Sequence, residues 1–294
     1  MTPRFTPGRL HVHSGLEDMV ATTRALRGVG RKIALVPTMG ALHDGHRKLL
    51  RTARRLPGTV LAASIFVNPL QFGPGEDFDR YPRPLEQDLE VFGAERVELA
   101  FTPSLAAMYP EGSEVAGVTV HPGPLGDQLE GAARPGHFAG VLTVVAKLFN
   151  IVRPDYAVFG EKDYQQLTLV RKLVRDLNLE VKIVGVPIVR DADGLARSSR
   201  NAYLDDDQRR AAVTLSAALS AGARVSAGGP EMVLDSARAV LDKEPLVDVD
   251  YLELRGNDLG PTPSEGEARL LVAARVGSTR LIDNAQVLLG QGED

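Results

Sequence analysis

The sequence predicts an α/β protein: a doubly wound, Rossmann-like parallel sheet in the N-terminal part, followed by a second, smaller α+β domain. Three observations support this. Apolar runs alternate with amphipathic polar stretches over the first two thirds of the chain, as strands and crossover helices do in βαβ units. Those runs are continuous rather than period-two, the pattern of strands covered on both faces. After Arg190 the character changes, with a hairpin-turn signal at Asp193-Gly194 and then an Ala- and Arg-rich helical stretch.

Taken in order, IALVP at 33–37 reads as a strand, residues 43–56 as a helix and TVLAASIFV at 59–67 as the next strand. The alternation resumes with GVLTVVAKLFNIV as a helix, YAVFG at 156–160 as a strand, DYQQLTLVRKLVRDLN as a helix and VKIVGVPIV as a strand. Between Tyr109 and Gly140 the chain is rich in Gly and Pro, and only GVTVH at 117–121 reads as a strand, so this stretch is expected to form loops near a site. Asp205 with Gln208 has the spacing of a capping box at the start of a long helix. A second helix and strands around VDYLELR, ARLLVAARVG and TRLIDN complete the C-terminal part. The expected domains are residues 1–188 and 189–294.

Composition narrows the function. A length of 294 residues points to about two domains. The 38 acidic and 34 basic residues give a net charge of −4 and are interspersed, which disfavours a nucleic-acid partner. With no cysteine, disulfides, thiolate zinc sites and a cysteine nucleophile are excluded together, and a reducing cytoplasmic setting fits. The basic opening has two prolines and no apolar core like that of a signal peptide. The most apolar stretch, Val141–Val152, is too short to span a bilayer and holds Lys147 and Asn150, so no membrane association is expected.

Four stretches could carry chemistry. In VPTMGALHDGHRKLL a strand ends, a Gly-containing loop follows, and His43 and His46 sit three residues apart as a helix begins, so both imidazoles can face one ligand. Gly45 removes a side chain between them, which lets a phosphate approach main-chain N–H groups at the positive end of the helix. An exposed histidine pair and an i, i+3 metal pair are the competing readings. In VFGEKDYQQL, Lys162 can reach a phosphate over the sheet edge, or be an ordinary solvated lysine; Asp163 and Gln166 have capping-box spacing. In LARSSRNAYL, Ser198, Ser199 and Arg200 offer two hydroxyls and a guanidinium to phosphate oxygens, or form a polar turn. In IFVNPLQF, Asn68 and Gln71 offer neutral amides to a hydroxylated carboxylate, although Asn-Pro is also a turn starter. Farther on, Glu86 and Asp88 are candidate Mg²⁺ ligands or exposed helix carboxylates.

Together with YPR, RPGHF, VLTVVAKLFN, DGLARSSRN and RLIDN, these stretches resemble the pantoate–β-alanine ligase family of the HIGH-type nucleotidyltransferase superfamily, over nearly the whole chain. The resemblance implies ATP-dependent condensation of pantoate with β-alanine through a pantoyl adenylate, releasing pyrophosphate and AMP, with Mg²⁺ required and homodimers usual. It implies catalytic roles for His43, His46, Lys162, Ser198, Ser199 and Arg200. Met39, Gly160, Asp163 and Val189 join His46, Lys162 and the 198–200 run as ATP contacts. Asn68, Gln71 and Gln166 become the pantoate contacts, Asp88 the metal ligand, and the C-terminal domain a cover over the site. Two positions depart from the family pattern: Arg197 stands where Met or Leu is usual, and Gln87 where some relatives carry a second acid.

Overall fold

The computed structural model describes residues 5–112 and 117–290, so the first four residues of the basic opening and residues 113–116 of the Gly/Pro-rich stretch lie outside the described residues. The chain divides into two compact units, Met1–Glu161 with Leu169–Val186, and Lys162–Thr168 with Pro187–Asp294. Residues 162–168, contiguous in sequence with the first unit, therefore group with the second.

In the first unit the chain runs β1 (His11–His13), α1 (Leu16–Gly28), β2 (Lys32–Thr38), α2 (Asp44–Arg54), β3 (Thr59–Ile65), α3 (Leu85–Ala94), β4 (Leu99–Phe101), α4 (Leu105–Met108), α5 (Glu130–Ala133), α6 (His137–Val152), β5 (Tyr156–Gly160), α7 (Tyr164–Asp176) and β6 (Lys182–Val186). The first turn of α7 belongs to the second unit. Every paired strand is parallel, in the order β1-β4-β3-β2-β5-β6. Strand β2 is buried almost throughout, Ile33 to Val36 being 0% exposed, which accounts for its unbroken apolar sequence. The chain builds outward from β2 on one side and resumes with β5 on the other, so the order reverses between these two strands. Ligands of open α/β sheets bind at the carboxyl ends of strands at such a reversal. Helix α6 is apolar nearly all round, and eleven of its residues are buried, so the longest apolar run of the sequence is a core helix. Among the described residues no helix is long and apolar enough to cross a membrane.

Two expectations for 109–140 are corrected. GVTVH is not a strand: Val118 is 92% exposed, and the Val120 N–H donates to Thr143 Oγ1 rather than to a ladder. The supposed loops also contain α5, and α6 begins already at His137.

The second unit carries α8 (Asp206–Arg224), α9 (Gly229–Leu241), β7 (Val247–Gly256), β8 (Gly266–Val276) and β9 (Thr279–Leu289), the three strands forming an antiparallel sheet in sequence order. The capping box forms as its spacing predicts: Asp205 accepts from the Gln208 N–H while Gln208 accepts from the Asp205 N–H. Leu215 and Leu219 of α8, Val233 and Ala237 of α9, and Leu270, Val272 and Leu281 of the sheet share one buried core. The Asp193-Gly194 turn closes a hairpin bridged at Arg190 and Ala196, with Gly194 at φ +96°.

Candidate active site

In the first unit the sequence between β2 and α2 builds a histidine pair from helix-capping chemistry. His43 is the N-cap of α2, and its Nδ1 accepts from the Gly45 N–H at 3.1 Å; His46 Nδ1 in turn accepts from the His43 N–H at 3.3 Å. Because both Nδ1 atoms are acceptors, the neutral rings carry their protons on Nε2, and each presents an Nε2–H donor. The rings lie 4.1 Å apart between centroids. Gly45 is required for a reason beyond phosphate access: a Cβ there would stand 2.7 Å from His43 Cε1 and 2.9 Å from Nδ1.

Two carboxylates fix this corner. Glu95, 3% exposed, receives Arg47 at 3.0 Å and Arg51 at 2.6 and 2.9 Å, which ties α2 to the end of α3. The Arg51 bond, aided by Arg47, holds the Glu95 carboxyl below its ordinary range. Asp88, 2% exposed, accepts the Ala41 N–H at 2.9 Å and the Leu42 N–H at 2.8 Å, pinning the loop in which Ala41 adopts φ +51°. Burial raises its carboxyl above the usual range despite these two bonds. Each carboxylate oxygen serves the loop through one N–H and keeps a second lone pair, so Asp88 has a structural task beside any part it takes in holding Mg²⁺. Among the described residues no cluster of three or more His, Asp or Glu side chains is arranged to hold a metal.

The amides of Asn68 and Gln71 come together at a 3₁₀ turn, Pro69–Gln71, just after β3. Asn68 is 1% exposed: Nδ2 donates to the Gly140 carbonyl at 3.1 Å and to Gln71 Oε1 at 3.3 Å, while Oδ1 accepts from Tyr109 Oη at 2.8 Å. Burial pushes the Tyr109 hydroxyl up to about 12, so it stays a donor. Gln71 Nε2 donates to Met39 Sδ at 3.0 Å, a weak acceptor that a substrate oxygen could displace. The turn is also held from behind. The Gln71 carbonyl accepts from His137 Nδ1 at 2.7 Å and from Arg134 Nη2 at 3.2 Å, and Arg134 is clamped by Glu76 at 2.6 and 2.8 Å. Helix α6 reaches the turn because Gly140 has no side chain; a Cβ there would lie 2.1 Å from the Leu70 carbonyl oxygen. Gly160 ends β5, next to β2, and faces Leu49 of α2.

The remaining sequence candidates belong to the second unit. Lys162 Nζ lies 3.4 Å from Asp163 Oδ1, in a 3₁₀ turn, Glu161–Asp163, that leads into α7, where Gln166 is half-buried. The Val189 carbonyl accepts from the Arg197 N–H at 2.9 Å across the hairpin. Ser198 caps the 3₁₀ turn Ser199–Tyr203, its Oγ accepting the Arg200 N–H at 3.3 Å, so the serine run is also the polar turn its sequence allows. Arg197 forms an ion pair with Asp191, a carboxylate shared with Arg209, so the extra cation is met by an acid on its own hairpin.

Comparison with known proteins decides the family. A family model described as pantoate-beta-alanine ligase matches residues 11–286. The chain belongs to this family. It is 64% identical to the pantothenate synthetase of Mycolicibacterium smegmatis over 98% of this chain and 91% of that one. It is 62% identical to that of Saccharopolyspora erythraea over 99% and 96%. A pantothenate synthetase structure from Thermus thermophilus superposes with a TM-score of 0.87 at 44% identity, covering 94% of this chain and 99% of that one. A pantoate-beta-alanine ligase from Francisella tularensis, complexed with beta-gamma ATP and beta-alanine, superposes at 0.78 with 32% identity, covering 97% and 99%. As a pantoate-beta-alanine ligase the chain is an ATP-dependent ligase. Sequence reading missed the supports of its amide turn. Tyr109, Arg134, His137 and Glu76 are spread over the sequence, and only RPGHF signalled two of them, as part of the family pattern.

Proposed function

We propose that the chain condenses pantoate with β-alanine at the expense of ATP, through a pantoyl-adenylate intermediate. The observation that carries this reading is the pair of His43 and His46 rings at the start of α2, each held by a main-chain N–H at Nδ1, beside the strand-order reversal and in the same unit as the Gln71 amide. A carboxylate acylates amines poorly because oxide is a bad leaving group. In the first step a pantoate carboxylate oxygen attacks the α-phosphorus of ATP, the bond to the β-phosphate bridging oxygen breaks, and pyrophosphate leaves. His43 and His46 donate to phosphate oxygens as charge builds, an effect worth roughly 10²-fold or more per donor. Met39, Gly160, Asp163 and Val189 take the nucleotide; Lys162, Ser198, Ser199 and Arg200 take phosphate oxygens.

The pantoate is held by Asn68, Gln71 and Gln166, and Asn68 also orients Gln71 by donating to its Oε1. In the second step the neutral amine of β-alanine attacks the acyl carbon, AMP leaves with the carbonyl–oxygen bond, and the amine proton passes to solvent. Holding the mixed anhydride beside the amine and away from water is the enzyme's main task here. The residue 1–188 part serves as the ATP- and pantoate-binding domain, with 189–294 as a smaller second domain, in a cytoplasmic homodimer. Mg²⁺ bound with the nucleotide would supply charge neutralisation, and Asp88 is the candidate side chain to hold it.

The test is product release by the purified chain given ATP, Mg²⁺, pantoate and β-alanine. Pantoate alone should support exchange of labelled pyrophosphate into ATP, and steady AMP release should need both acids. AMP release indifferent to β-alanine would instead indicate a nucleotidyltransferase.

A further inference from the structure

The RLIDN stretch belongs to the family pattern, yet none of its residues has a task in the reaction above. In the structure Asp283 and Asn284 are adjacent on β9, 4% and 2% exposed, and their side chains reach two separate segments of the second unit. Asn284 Nδ2 donates to the Lys162 carbonyl at 3.0 Å, and Asn284 Oδ1 accepts from Arg269 Nη1 at 3.1 Å. The Arg269 guanidinium is itself stacked 3.9 Å from the ring centroid of Tyr164, two residues past Lys162. Tyr164 closes the turn by donating from Oη to the Asn257 carbonyl at 2.9 Å. Asp283 accepts from Arg190 at 2.6 and 3.0 Å and from the Asn284 N–H at 2.8 Å. Arg190 is the base of the 190–196 hairpin, flanked by Val189 and leading to Ser198.

Consecutive strand residues project to opposite faces. Asp283 shares its face with Leu281 and Val287 of the helix-packed core, and Asn284 shares the other with Arg269. A buried amide or carboxylate is costly unless bonded, and a single apolar residue at either position would meet the packing need. Here each hydrogen-bonding end is matched, and the partners lie in the two segments to which phosphate and nucleotide contacts were assigned. We propose that Asp283 and Asn284 are positioning residues for ATP handling: Asn284 fixes the main chain at Lys162, and Asp283, through Arg190, fixes the hairpin between Val189 and Ser198. This rests on the ligase reading above and extends it to residues outside the substrate contacts.

Asn284→Asp tests it. The variant keeps the acceptor for Arg269 and its size, but sets an oxygen against the Lys162 carbonyl. Pantoate-dependent pyrophosphate exchange should show kcat/KM for ATP lowered about 10-fold, with KM for pantoate within about twofold of wild type. If Asn284 acts through Lys162, the same change on a Lys162→Ala background should cost less than about twofold, because the two losses are not additive. A normal kcat/KM for ATP, or full additivity with Lys162→Ala, overturns the proposal. Should Asn284→Asp fail to fold by circular dichroism, Asn284→Ser carries the same cycle, and failure of both to fold would make Asn284 a folding residue and overturn it too. A wild-type chain without pantoate-dependent exchange overturns the ligase reading and this proposal with it; an active wild type beside an unaffected variant overturns the proposal alone.

Discussion

The imidazoles of His43 and His46 lie 4.1 Å apart with their planes inclined by 43°, and each accepts a main-chain N–H at Nδ1. Helix capping therefore sets the tautomer of both neutral rings, and Gly45 leaves room for that of His43. In Gly45→Ala the new Cβ would meet His43 at 2.7 Å, so the ring must move off the Gly45 N–H. Ala gains up to about 1 kcal/mol of helix propensity, which offsets about 1 kcal/mol lost with the cap. Stability should change little, then, while pyrophosphate exchange falls by about 10-fold or more. Thermal melting and the exchange assay on one preparation check both parts; unaltered exchange would free the His43 ring from the proposed role.

Gln71→Ala separates the two substrates. The Gln71 amide is bound to a thioether and to Asn68, whereas its carbonyl is held by His137 and Arg134 and survives truncation of the side chain. KM for pantoate should rise by about 10-fold or more, with ATP affinity by calorimetry nearly intact. A collapse of ATP affinity would break the division of roles.

Asp88→Asn discriminates a loop anchor from a metal ligand. One carboxylate oxygen becomes an NH₂ group facing a main-chain N–H of Ala41 or Leu42, a buried donor against a donor. The expected loss is about 2 kcal/mol, seen as a lowered melting temperature without any metal present. Lowered stability that raised Mg²⁺ does not rescue would make Asp88 a loop anchor alone; a variant of normal stability rescued by Mg²⁺ would make it the metal ligand.

His137 makes stability depend on pH. Burial, then the neighbouring Arg134 charge, lowers its pKa from 6.5 to about 4, in accord with its ring donating to the Gln71 carbonyl and accepting from Arg134. Between these two values the unfolded chain binds a proton that the folded chain refuses. The stability contribution is complete above about pH 6.5 and declines as pH falls toward 4, by at most about 1.4 kcal/mol per pH unit. Urea unfolding midpoints from pH 7.5 down to about 4.5 should fall more steeply for wild type than for His137→Asn; equal slopes would show that His137 is not the group responsible.

The local geometry of the candidate residues was legible where they come in short segments of the chain. The histidine pair, the Asn68–Gln71 pair and the Ser198–Arg200 run each lie within a few residues of one another, so their proximity is dictated by local geometry. The loop-anchoring task of Asp88 was not legible for the opposite reason: its partners, Ala41 and Leu42, are 47 and 46 residues away, and nothing in LEQDLE distinguishes a buried loop anchor from an exposed helix acid. GVTVH was misread because β-branched residues suit a strand only where a ladder partner exists, and Val118 has solvent on its side chain.

The sequence by itself determined the alternation of the central strands and helices, though β1, α1, α3 and β4 were not read from it. Continuous apolar runs, amphipathic helices, a capping box and a turn dipeptide are local preferences, each expressed over a handful of residues whatever lies elsewhere. It also determined the family, since the motifs stand in fixed order. Only tertiary structure decided which buried polar groups meet: Gln71 with His137 across 66 residues, and Asn284 with Lys162 across 122. Desolvation makes an unpaired polar group expensive wherever it is buried, but the partner that relieves the cost is chosen by the packing of the whole chain.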